Sequence, residues 1–322
     1  MKVKTIAVLT SGGDAPGMSA AVRSVVRTAL NQGMQVKGII RGYNGLIDND
    51  MIDMNIRSVS DIIHRGGTML YSARSPRFRE EEGIMQAVEN CKKAGIDGIV
   101  CIGGDGTFRG ARDLSLHGIP CVGVPATIDN DISSTEYTIG FDTAVNTCME
   151  MVDRLRDTTQ SHDRCSVVEV MGRGAGFLAL QCGVACGATT ILTPEIELDV
   201  QRDIIDKIEA ARATGKKHFI VVVAEGVGGV EKLAKQIQDV TGIDTRATIL
   251  GHVQRGGSPS VRDRVTASRM GYVAVQLLAQ GIGNRVVAEK GGQIVDYDIY
   301  EALNMTKPFD QQLFEISCSI SN

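Results

Sequence analysis

The sequence lacks any long uninterrupted run of apolar residues. The apolar stretch near the N-terminus ends where the segment SGGD begins at Ser11, so it is too short for a signal peptide and far too short to cross a membrane. The formal net charge of −4 at pH 7 gives no reason to expect nucleic acid as a partner. We therefore expect a cytoplasmic protein that binds neither membranes nor nucleic acid.

Cysteine motifs are also missing, although the chain contains eight cysteines. No CxxC pair and no Cys/His cluster has the spacing of a zinc site, and a disulfide framework is not expected in a chain of this length. Several cysteines stand in apolar runs such as GIVCIGG and IPCVGV, where a thiol acts as a small core residue.

The chain does contain a regular alternation of apolar β-branched runs with amphipathic segments. This alternation predicts an α/β fold whose mainly parallel sheets are covered on both faces, and 322 residues suffice for two domains of ordinary size. The predicted strands are Thr5–Thr10, Gly98–Ile102, Cys121–Val124, Ser166–Val170, Thr189–Leu192, Phe219–Ala224, Ala247–Leu250 and Val286–Ala288.

Three glycine-rich or acidic turns follow predicted strands, at the sheet edge where α/β proteins bind ligands. In the first turn, SGGDAPG, Ser11, Gly12 and Gly13 offer backbone N–H groups to a phosphate ahead of a helix N-terminus. Its spacing is neither GxGxxG nor a Walker A motif, which disfavours a Rossmann dehydrogenase and a P-loop kinase. Alternatively, Asp14 is only a helix N-cap.

The second turn, GGDGT, covers residues 103–107. Its glycines leave room for a polyphosphate against the backbone, and the Asp105 carboxylate suits Mg²⁺, which prefers one or two carboxylates plus phosphate oxygens. The motif occurs in several kinase families, so it predicts nucleotide binding without fixing the second substrate. The alternative is a tight turn with a capping aspartate.

The third turn, PATIDND, carries Asp129 and Asp131 with Asn130 between them. Residues two apart in an extended or turn segment point the same way, so both carboxylates are expected to face one site. One would act as general base on a hydroxyl and the other would help to bind metal, as phosphoryl transfer to an alcohol requires. Taken alone, such an acidic turn is also common without any function.

Cationic side chains provide the countercharge that a phosphorylated substrate needs. A lone arginine is usually a solvated surface residue, but six such groups at strand ends or glycine-rich turns predict convergence on a doubly anionic substrate. They are Arg74, Arg164, Arg173, Arg246, His252 and Arg255. Glu225, at the end of the strand VVVA, is either an acceptor for sugar hydroxyls or a turn cap.

Arg23 and Arg27 are four residues apart and share one face of the first predicted helix. They form either a solvated, exposed face or, with Lys216, Lys217 and His218 of TGKKH, a second anion site.

Taken in order, these blocks resemble the signature motifs of the bacterial ATP-dependent 6-phosphofructokinase family. The blocks extend over nearly the whole chain and read SGGDAPGM, IIHRGGTMLYSAR, GGDGT, PATIDND, TIGFDTA, VMGRGAG, AEGVG and GHVQRGGSP. The resemblance implies phosphorylation of the C1 hydroxyl of fructose 6-phosphate by ATP with Mg²⁺. It also implies a homotetramer of chains with two similar Rossmann-like, three-layer α/β/α lobes and an active site in the cleft between them.

Carried over to this numbering, the resemblance implies an ATP-binding lobe of residues 1–140 plus 254–304 and a fructose 6-phosphate-binding lobe of residues 141–253 plus 305–322. Asp129, with Thr127, Arg173 and Arg74, would carry catalysis, and Asp105 would hold Mg²⁺. ATP would be bound by Gly12, Tyr43, Arg74, Ser75, Gly104, Asp105, Gly106 and Thr107. The sugar phosphate would be bound by Thr127, Asp129, Met171, Gly172, Arg173, Glu225, His252 and Arg255, with Arg164 and Arg246 reaching in from a neighbouring subunit.

An effector site is implied at Arg23, Arg27, Arg156, Lys216 and His218. The family usually has an acidic residue where this chain has Thr189 and often a basic one where it has Thr214. We therefore expect activation by Mg·ADP to be weak or absent, and we expect metal-free anions such as phosphoenolpyruvate to bind.

Three other functions compete with this interpretation. Pyrophosphate-dependent enzymes of the family normally have Asp in place of Gly106 and Lys in place of Ala126, and this chain has neither, although ATP users usually have Gly at the latter position. Kinases of the diacylglycerol or NAD type share GGDGT but not GHVQRGG. A non-catalytic nucleotide sensor is disfavoured by the intact Asp105, Asp129 and Arg173.

Overall fold

The structure is a computed structural model that describes residues 3–321. The chain forms two compact units. The first comprises the residues up to Ile128 together with Ile132–Thr143 and Arg255–Lys307; the second comprises Asp129–Asp131, Ala144–Gln254 and the residues from Pro308 onward.

Strands and helices alternate along the chain. The strands are β1 (Thr5–Ser11), β2 (Gln35–Ile39), β3 (Met51–Met54), β4 (Gly98–Gly103), β5 (Cys121–Pro125), β6 (Cys165–Val170), β7 (Thr190–Leu192), β8 (Phe219–Ala224), β9 (Thr245–Ile249), β10 (Arg285–Lys290) and β11 (Gln293–Asp298). The helices are α1 (Met18–Asn31), α2 (Tyr43–Asp48), α3 (Glu81–Lys93), α4 (Asp105–Leu116), α5 (Phe141–Ser161), α6 (Phe177–Ala185), α7 (Asp206–Ala213), α8 (Val230–Thr241), α9 (Val261–Ala279), α10 (Ile299–Asn304) and α11 (Gln311–Ile320).

The first unit is built on a seven-stranded sheet with the order β11-β10-β5-β4-β1-β2-β3. Its five inner strands are parallel, whereas β3 and β11 at the two edges run antiparallel to their neighbours. All seven residues of β1 are buried, as expected for a strand covered by helices on both faces. Helix α1 buries Met18, Val22, Val25 and Val26, the face that its apolar spacing predicts.

The second unit is built on a four-stranded, fully parallel sheet with the order β7-β8-β6-β9. Its core packs β6 and β8 against α7 and α8 through Val167, Phe219, Val221, Ile208 and Ile237. Because all four strands are parallel, their carboxyl ends lie at one edge of the sheet and their amino ends at the other.

The α/β class and the eight predicted strands are confirmed, with ends that shift by one or two residues. The sequence analysis missed β2, β3 and β11. These strands mix charged and apolar residues, and in β11 five of six residues are only partly buried, so none reads as a continuous apolar run. The two edge strands run antiparallel to their neighbours, and all other pairings are parallel, which confirms the expectation of mainly parallel sheets.

Seven cysteines are buried and Cys318 is partly exposed, and all eight are free thiols. The prediction of cysteines as core residues is confirmed for these seven. Between residues 3 and 321, no helix is both long and apolar enough to span a membrane.

The unit boundaries fall after Thr143, Gln254 and Lys307. The sequence-based lobes break after residues 140, 253 and 304, and they place Asp129–Asp131 in the first lobe, whereas in the structure these three residues group with the second unit. Which ligand each unit binds stays a prediction.

Candidate active site

The first two glycine turns lie side by side in the first unit. Strands β1 and β4 are parallel neighbours, and Ser11 pairs with Gly103 at their carboxyl ends. The Thr107 hydroxyl donates a 3.1 Å hydrogen bond to the Ser11 carbonyl, which ties the second turn to the first. Two sets of backbone N–H groups therefore face the same edge of the sheet.

Gly12 adopts φ +88°, a left-handed conformation that a side chain would strain. Its carbonyl accepts a 2.6 Å hydrogen bond from the Ser72 hydroxyl, and this bond fixes the segment leading to Arg74 beside the first turn. Arg74 is exposed. The Ser75 hydroxyl is buried, and within residues 3–321 it has no hydrogen-bond partner.

Helix α4 begins at Asp105, and Gly104 is its N-cap. A Cβ added to Gly104 or to Gly106 would meet no heavy atom within 4 Å, so the backbone at both glycines is open to close approach by a ligand. A helix N-terminus with free space in front of it suits phosphate oxygens. The alternative reading of Asp105 as a capping residue is wrong. The same reading of Asp14 is also wrong, because the N-cap of α1 is Gly17.

Asp105 lies partly exposed in this first helical turn. Within the described part of the chain, no group of three or more His, Cys, Asp or Glu side chains is arranged to hold a metal ion. One carboxylate next to an open glycine backbone nevertheless fits Mg²⁺, because this ion takes most of its ligands from water and substrate phosphates.

Tyr43 belongs to the hydrophobic core of the first unit. Its ring stacks on Phe78 with 4.1 Å between ring centroids, its hydroxyl donates to the Thr107 carbonyl, and only 4% of the residue is exposed. Any contact of Tyr43 with ATP is limited to that small exposed part and the backbone.

Arg255 lies in the first unit, against the first glycine turn. One guanidinium nitrogen donates a 3.0 Å hydrogen bond to the Asp14 carbonyl, and it would be 2.6 Å from a Cβ at Gly13. A side chain at position 13 would therefore displace the Arg255 guanidinium from its present place.

The acidic turn after β5 is not extended. Thr127 is held by the Thr138 hydroxyl, which donates a 2.6 Å hydrogen bond to the Thr127 carbonyl. Asn130 has φ +51°, so the alternation of side chains in a strand does not apply across it. Asp129 is buried and Asp131 is partly exposed. The expectation that both carboxylates face one site stays a prediction.

In the second unit, the carboxyl ends of β6 and β8 bring Arg173 and Glu225 together. The Glu225 carboxylate accepts a short hydrogen bond from the Arg173 backbone N–H, and Arg173 itself adopts φ +58°. Gly172 before it has φ +140°, which favours glycine. The Arg173 side chain is exposed, so its guanidinium is available to an anion beside the Glu225 carboxylate.

Gln254 organises this edge, and the sequence analysis did not single it out. Its amide oxygen accepts a 3.0 Å hydrogen bond from the Met171 N–H, and its amide nitrogen donates a 2.9 Å bond to the Gly251 carbonyl. The turn that carries His252 is thereby fixed to the residue before Gly172. Gln254 is fully buried, but nothing in the motif GHVQRGG shows this, so the sequence offered no signal for its role.

Arg164 and Arg246 lie at the opposite, amino-terminal edge of the second sheet. Arg164 precedes β6, Arg246 is the second residue of β9, and both pair with Asp244, at 2.6 Å and 3.0 Å. The Arg164 hydrogen bond, with a smaller contribution from Arg246, lowers the pKa of Asp244. A six-residue strand spans roughly 20 Å, so these arginines are separated from Arg173 by about that distance.

Arg164 and Arg246 therefore do not converge with Arg173 within one chain, whereas the convergence of the other cationic groups stays a prediction. Arg74 and Arg255 lie in the first unit, Arg173 and His252 lie at one edge of the second sheet, and Arg164 and Arg246 lie at the other. The prediction treated both ends of the strands as one edge of the sheet. Arg164, however, immediately precedes β6, and Arg246 is the second residue of β9, so both lie at the amino-terminal edge.

Arg156, Lys216 and His218 form a second cationic group in the second unit. Burial and the positive charge of Arg156 lower the pKa of Lys216; burial, Lys216 and Arg156 lower the pKa of His218. Thr189 is buried, and its hydroxyl accepts a 3.4 Å bond from Ile220 N–H.

In the first unit, burial and Arg27 lower the pKa of Arg23. Both arginines are half-buried, which corrects the interpretation of a fully exposed face. The Arg27 Nε is buried and has no hydrogen-bond partner among residues 3–321.

Sequence comparison places this chain among known proteins. Residues 5–278 match the family model described as phosphofructokinase. An ATP-dependent 6-phosphofructokinase from Clostridium botulinum is 56% identical over 319 residues, which cover 99% of this chain and all of that protein. The enzyme of the same name from Clostridium acetobutylicum is 53% identical over the same share of each.

Solved structures agree with this placement. Phosphofructokinase from Saccharomyces cerevisiae superposes with a TM-score of 0.86 at 35% identity and covers 93% of this chain, which spans 45% of that longer one. A pyrophosphate-dependent phosphofructokinase from Marinobacter aquaeolei gives 0.85 at 23% identity, with 96% of this chain and 86% of that one covered, a likeness of fold alone. With a family model over most of its length and full-length relatives above half identity, the chain belongs to the phosphofructokinase family.

Proposed function

We propose that this protein is an ATP-dependent 6-phosphofructokinase, which transfers the γ-phosphoryl group of ATP to the C1 hydroxyl of fructose 6-phosphate. The observation that carries this proposal is the 56% identity, over 99% of this chain and all of the relative, to a protein of that name. The products are ADP and fructose 1,6-bisphosphate, so the reaction belongs to glycolysis.

ATP is assigned to the paired glycine turns of the first unit. The open backbone at Gly104 and Gly106 receives the phosphates, and Gly12, Arg74, Ser75 and Thr107 complete the site. Asp105 would hold Mg²⁺, which when bound neutralises phosphate charge. The buried Ser75 hydroxyl supports this assignment, because a phosphate or ribose oxygen would give it a hydrogen-bond partner.

Fructose 6-phosphate is assigned to the carboxyl edge of the second unit. Glu225 accepts hydrogen bonds from sugar hydroxyls, while Met171, Gly172, Arg173, His252, Thr127 and Arg255 complete the contacts that we predict. Asp129 accepts the C1 hydroxyl proton while the C1 oxygen bonds to the γ-phosphorus and the bond from that phosphorus to the bridging oxygen of ADP breaks. Arg173 and Arg74 stabilise the negative charge of the migrating group.

Arg164 and Arg246 are proposed to bind the 6-phosphate of a substrate held by a neighbouring subunit of a homotetramer. Their position at the amino-terminal edge supports this, because they are roughly 20 Å along the strands from Arg173 in their own chain. The cations Arg156, Lys216 and His218, with Arg23 and Arg27, are proposed to bind phosphorylated effectors, phosphoenolpyruvate rather than Mg·ADP. A cytoplasmic location remains our prediction.

Pyrophosphate is the competing phosphoryl donor. Gly106 and Ala126 both argue against pyrophosphate. Pyrophosphate has no α-phosphate, so an enzyme that uses it needs neither the open space at Gly106 nor a small residue at position 126. The likeness to the Marinobacter aquaeolei enzyme concerns the fold and does not bear on the donor.

Binding calorimetry on matched variants tests the two assignments. Gly106→Asp places a carboxylate where the phosphates are expected, and we expect ATP affinity to fall by at least about tenfold while fructose 6-phosphate binding is unchanged. Gly106→Ala separates the effect of added volume from that of added charge, because its methyl group carries no charge and meets no heavy atom of the protein within 4 Å. In Arg173→Met we expect the affinity for fructose 6-phosphate to fall while ATP binding is unchanged. Unchanged ATP binding in Gly106→Asp would remove ATP from this turn.

A further inference from the structure

A cavity of about 220 Å³ lies in the second unit, and none of the residues assigned above to fructose 6-phosphate lines it. It is formed by β7, the segment after it, a short π-helical turn at Gln201–Ile205, α7 and the C-terminal helix α11. Much of its wall is apolar and consists of Ile191, Leu192, Ile196, Leu198 and Phe314. Single-turn π-helical segments often occur at functional sites.

One end of the cavity carries the Lys207 ammonium, which forms no salt bridge with another described residue. The half-buried Lys207 ammonium is 3.4 Å from the Thr190 hydroxyl and 3.8 Å from the Cys318 sulfur. Among the residues that the structure describes, no carboxylate oxygen lies within 4.0 Å of it. Asp203 accepts bonds of 2.7 Å and 2.8 Å from Arg202, and these bonds, with a smaller contribution from the charge of Lys207, lower the pKa of Asp203.

A second, independent observation points to a missing ligand. Thr193 lines the cavity and is only 2% exposed, and its hydroxyl has no hydrogen-bond partner within residues 3–321. The Thr193 atoms nearest to Gly176 are its Cβ and its methyl carbon, 2.4 Å and 2.7 Å from a Cβ built there. A buried hydroxyl without a partner is unfavourable unless something else supplies one.

We propose that this cavity binds a small monocarboxylate with a short apolar body. The carboxylate accepts hydrogen bonds from Lys207 and Thr190, and the apolar part packs on Ile191, Leu192 and Phe314. The volume is below that of sites for drug-sized molecules, which restricts the ligand to a few carbon atoms or one ring. Glu197 also lines the cavity, but it is exposed, where water screens its charge.

Cys318 provides a built-in reporter. It lines the cavity and is the one cysteine of the eight that is not buried, so mild alkylation should be confined to it. Iodoacetate is itself a small carboxylate, whereas iodoacetamide is its neutral counterpart; in both reactions the thiolate displaces iodide. The ratio of the two rates at Cys318 cancels any effect of Lys207 on the amount of thiolate, because both reagents attack the same sulfur.

The experiment measures this ratio by peptide mass spectrometry in the parent, in Lys207→Met and in the control Lys235→Met, whose side chain is exposed on α8. We expect the iodoacetate-to-iodoacetamide ratio to fall by about tenfold in Lys207→Met and to stay unchanged in Lys235→Met.

Benzoate should protect Cys318 from alkylation in the parent and should no longer protect it in Lys207→Met. Thr193→Val should weaken the protection. A ratio equal in the parent and Lys207→Met, or no protection by benzoate in the parent, would overturn the proposal. Neither readout depends on phosphoryl transfer, so the proposed function stands or fails separately.

Discussion

At the scale of single residues, the account depends most on Asp129. Its carboxylate is buried in a turn whose middle residue, Asn130, adopts a left-handed conformation. Such a backbone costs free energy unless the surroundings hold it, and residues in such conformations often occur at functional sites. General-base catalysis needs one carboxylate within reach of the reacting hydroxyl.

Asp129→Asn is predicted to reduce kcat by roughly 10²–10⁴-fold, because the amide keeps the shape but does not accept a proton. The KM values for both substrates should change only a few-fold. Steady-state kinetics on the folded variant, with Asp131→Asn as the matched control in the same turn, measures both effects. Turnover by Asp129→Asn within a few-fold of the parent would show that another group is the base.

Single residues also show which features of the candidate site could be predicted from the sequence and which could not. The glycine turns at Gly12 and Gly104 could be predicted, because their backbone requirements are local. The side-chain position of Arg255 could not, since it packs on Gly13, more than two hundred residues away in sequence. Gln254 and Asp244 were missed for the same reason, because their hydrogen bonds to Met171 and Arg164 are contacts between distant segments.

At the scale of elements, the start of α5 depends on a carboxylate from another helix. Asp263, in the first turn of α9, is fully buried and accepts hydrogen bonds from the N–H groups of Gly140 and Thr143 at 2.7 Å and 2.9 Å. It also accepts short bonds from the hydroxyls of Tyr137 and Thr143. This carboxylate therefore caps the N-terminus of α5 in place of a residue of α5 itself.

Asp263→Asn is predicted to lower the free energy of unfolding by about 1–3 kcal/mol, because the amide nitrogen cannot accept and leaves buried donors without a partner. Chemical denaturation monitored by circular dichroism measures the loss. The control is Asp310→Asn, since Asp310 caps α11 at an exposed position and accepts from Leu313 N–H at 2.9 Å. Equal small effects of the two substitutions would contradict the special role of the buried cap.

The order of elements was largely predictable, since continuous apolar strands alternate with amphipathic helices. The edge strands β3 and β11 were not, because a half-exposed strand mixes polar and apolar residues and its direction depends on its neighbour. Helix α5 could be recognised from its spacing, but not the residue that caps it.

At the scale of the whole molecule, the separation of Arg164 and Arg246 from Arg173 requires a second chain if all three bind one substrate. Arg246→Ala is predicted to raise the KM for fructose 6-phosphate by at least about tenfold, with little change in the KM for ATP. Lys235→Ala, also exposed and in the second unit, is the control for loss of surface charge.

Mixing subunits tests the same claim through complementation. Arg246→Ala and Asp129→Asn chains, each inactive at low substrate, should recover activity after they are unfolded and refolded together, because some sites then combine Asp129 of one chain with Arg246 of another. Absence of recovery in oligomers shown by native mass spectrometry to contain both chains would contradict a shared site.

The central claim is that this chain moves the γ-phosphoryl group of ATP to C1 of fructose 6-phosphate. The most direct measurement follows the phosphorus nuclei themselves, by ³¹P NMR of purified protein with fructose 6-phosphate, Mg²⁺ and either ATP or pyrophosphate. With ATP, we expect a C1 phosphate signal of fructose 1,6-bisphosphate to grow at the rate at which ADP appears. With pyrophosphate, we expect no sugar bisphosphate to form. Bisphosphate formation from pyrophosphate, or loss of the γ-phosphate signal without a C1 phosphate signal, would contradict it.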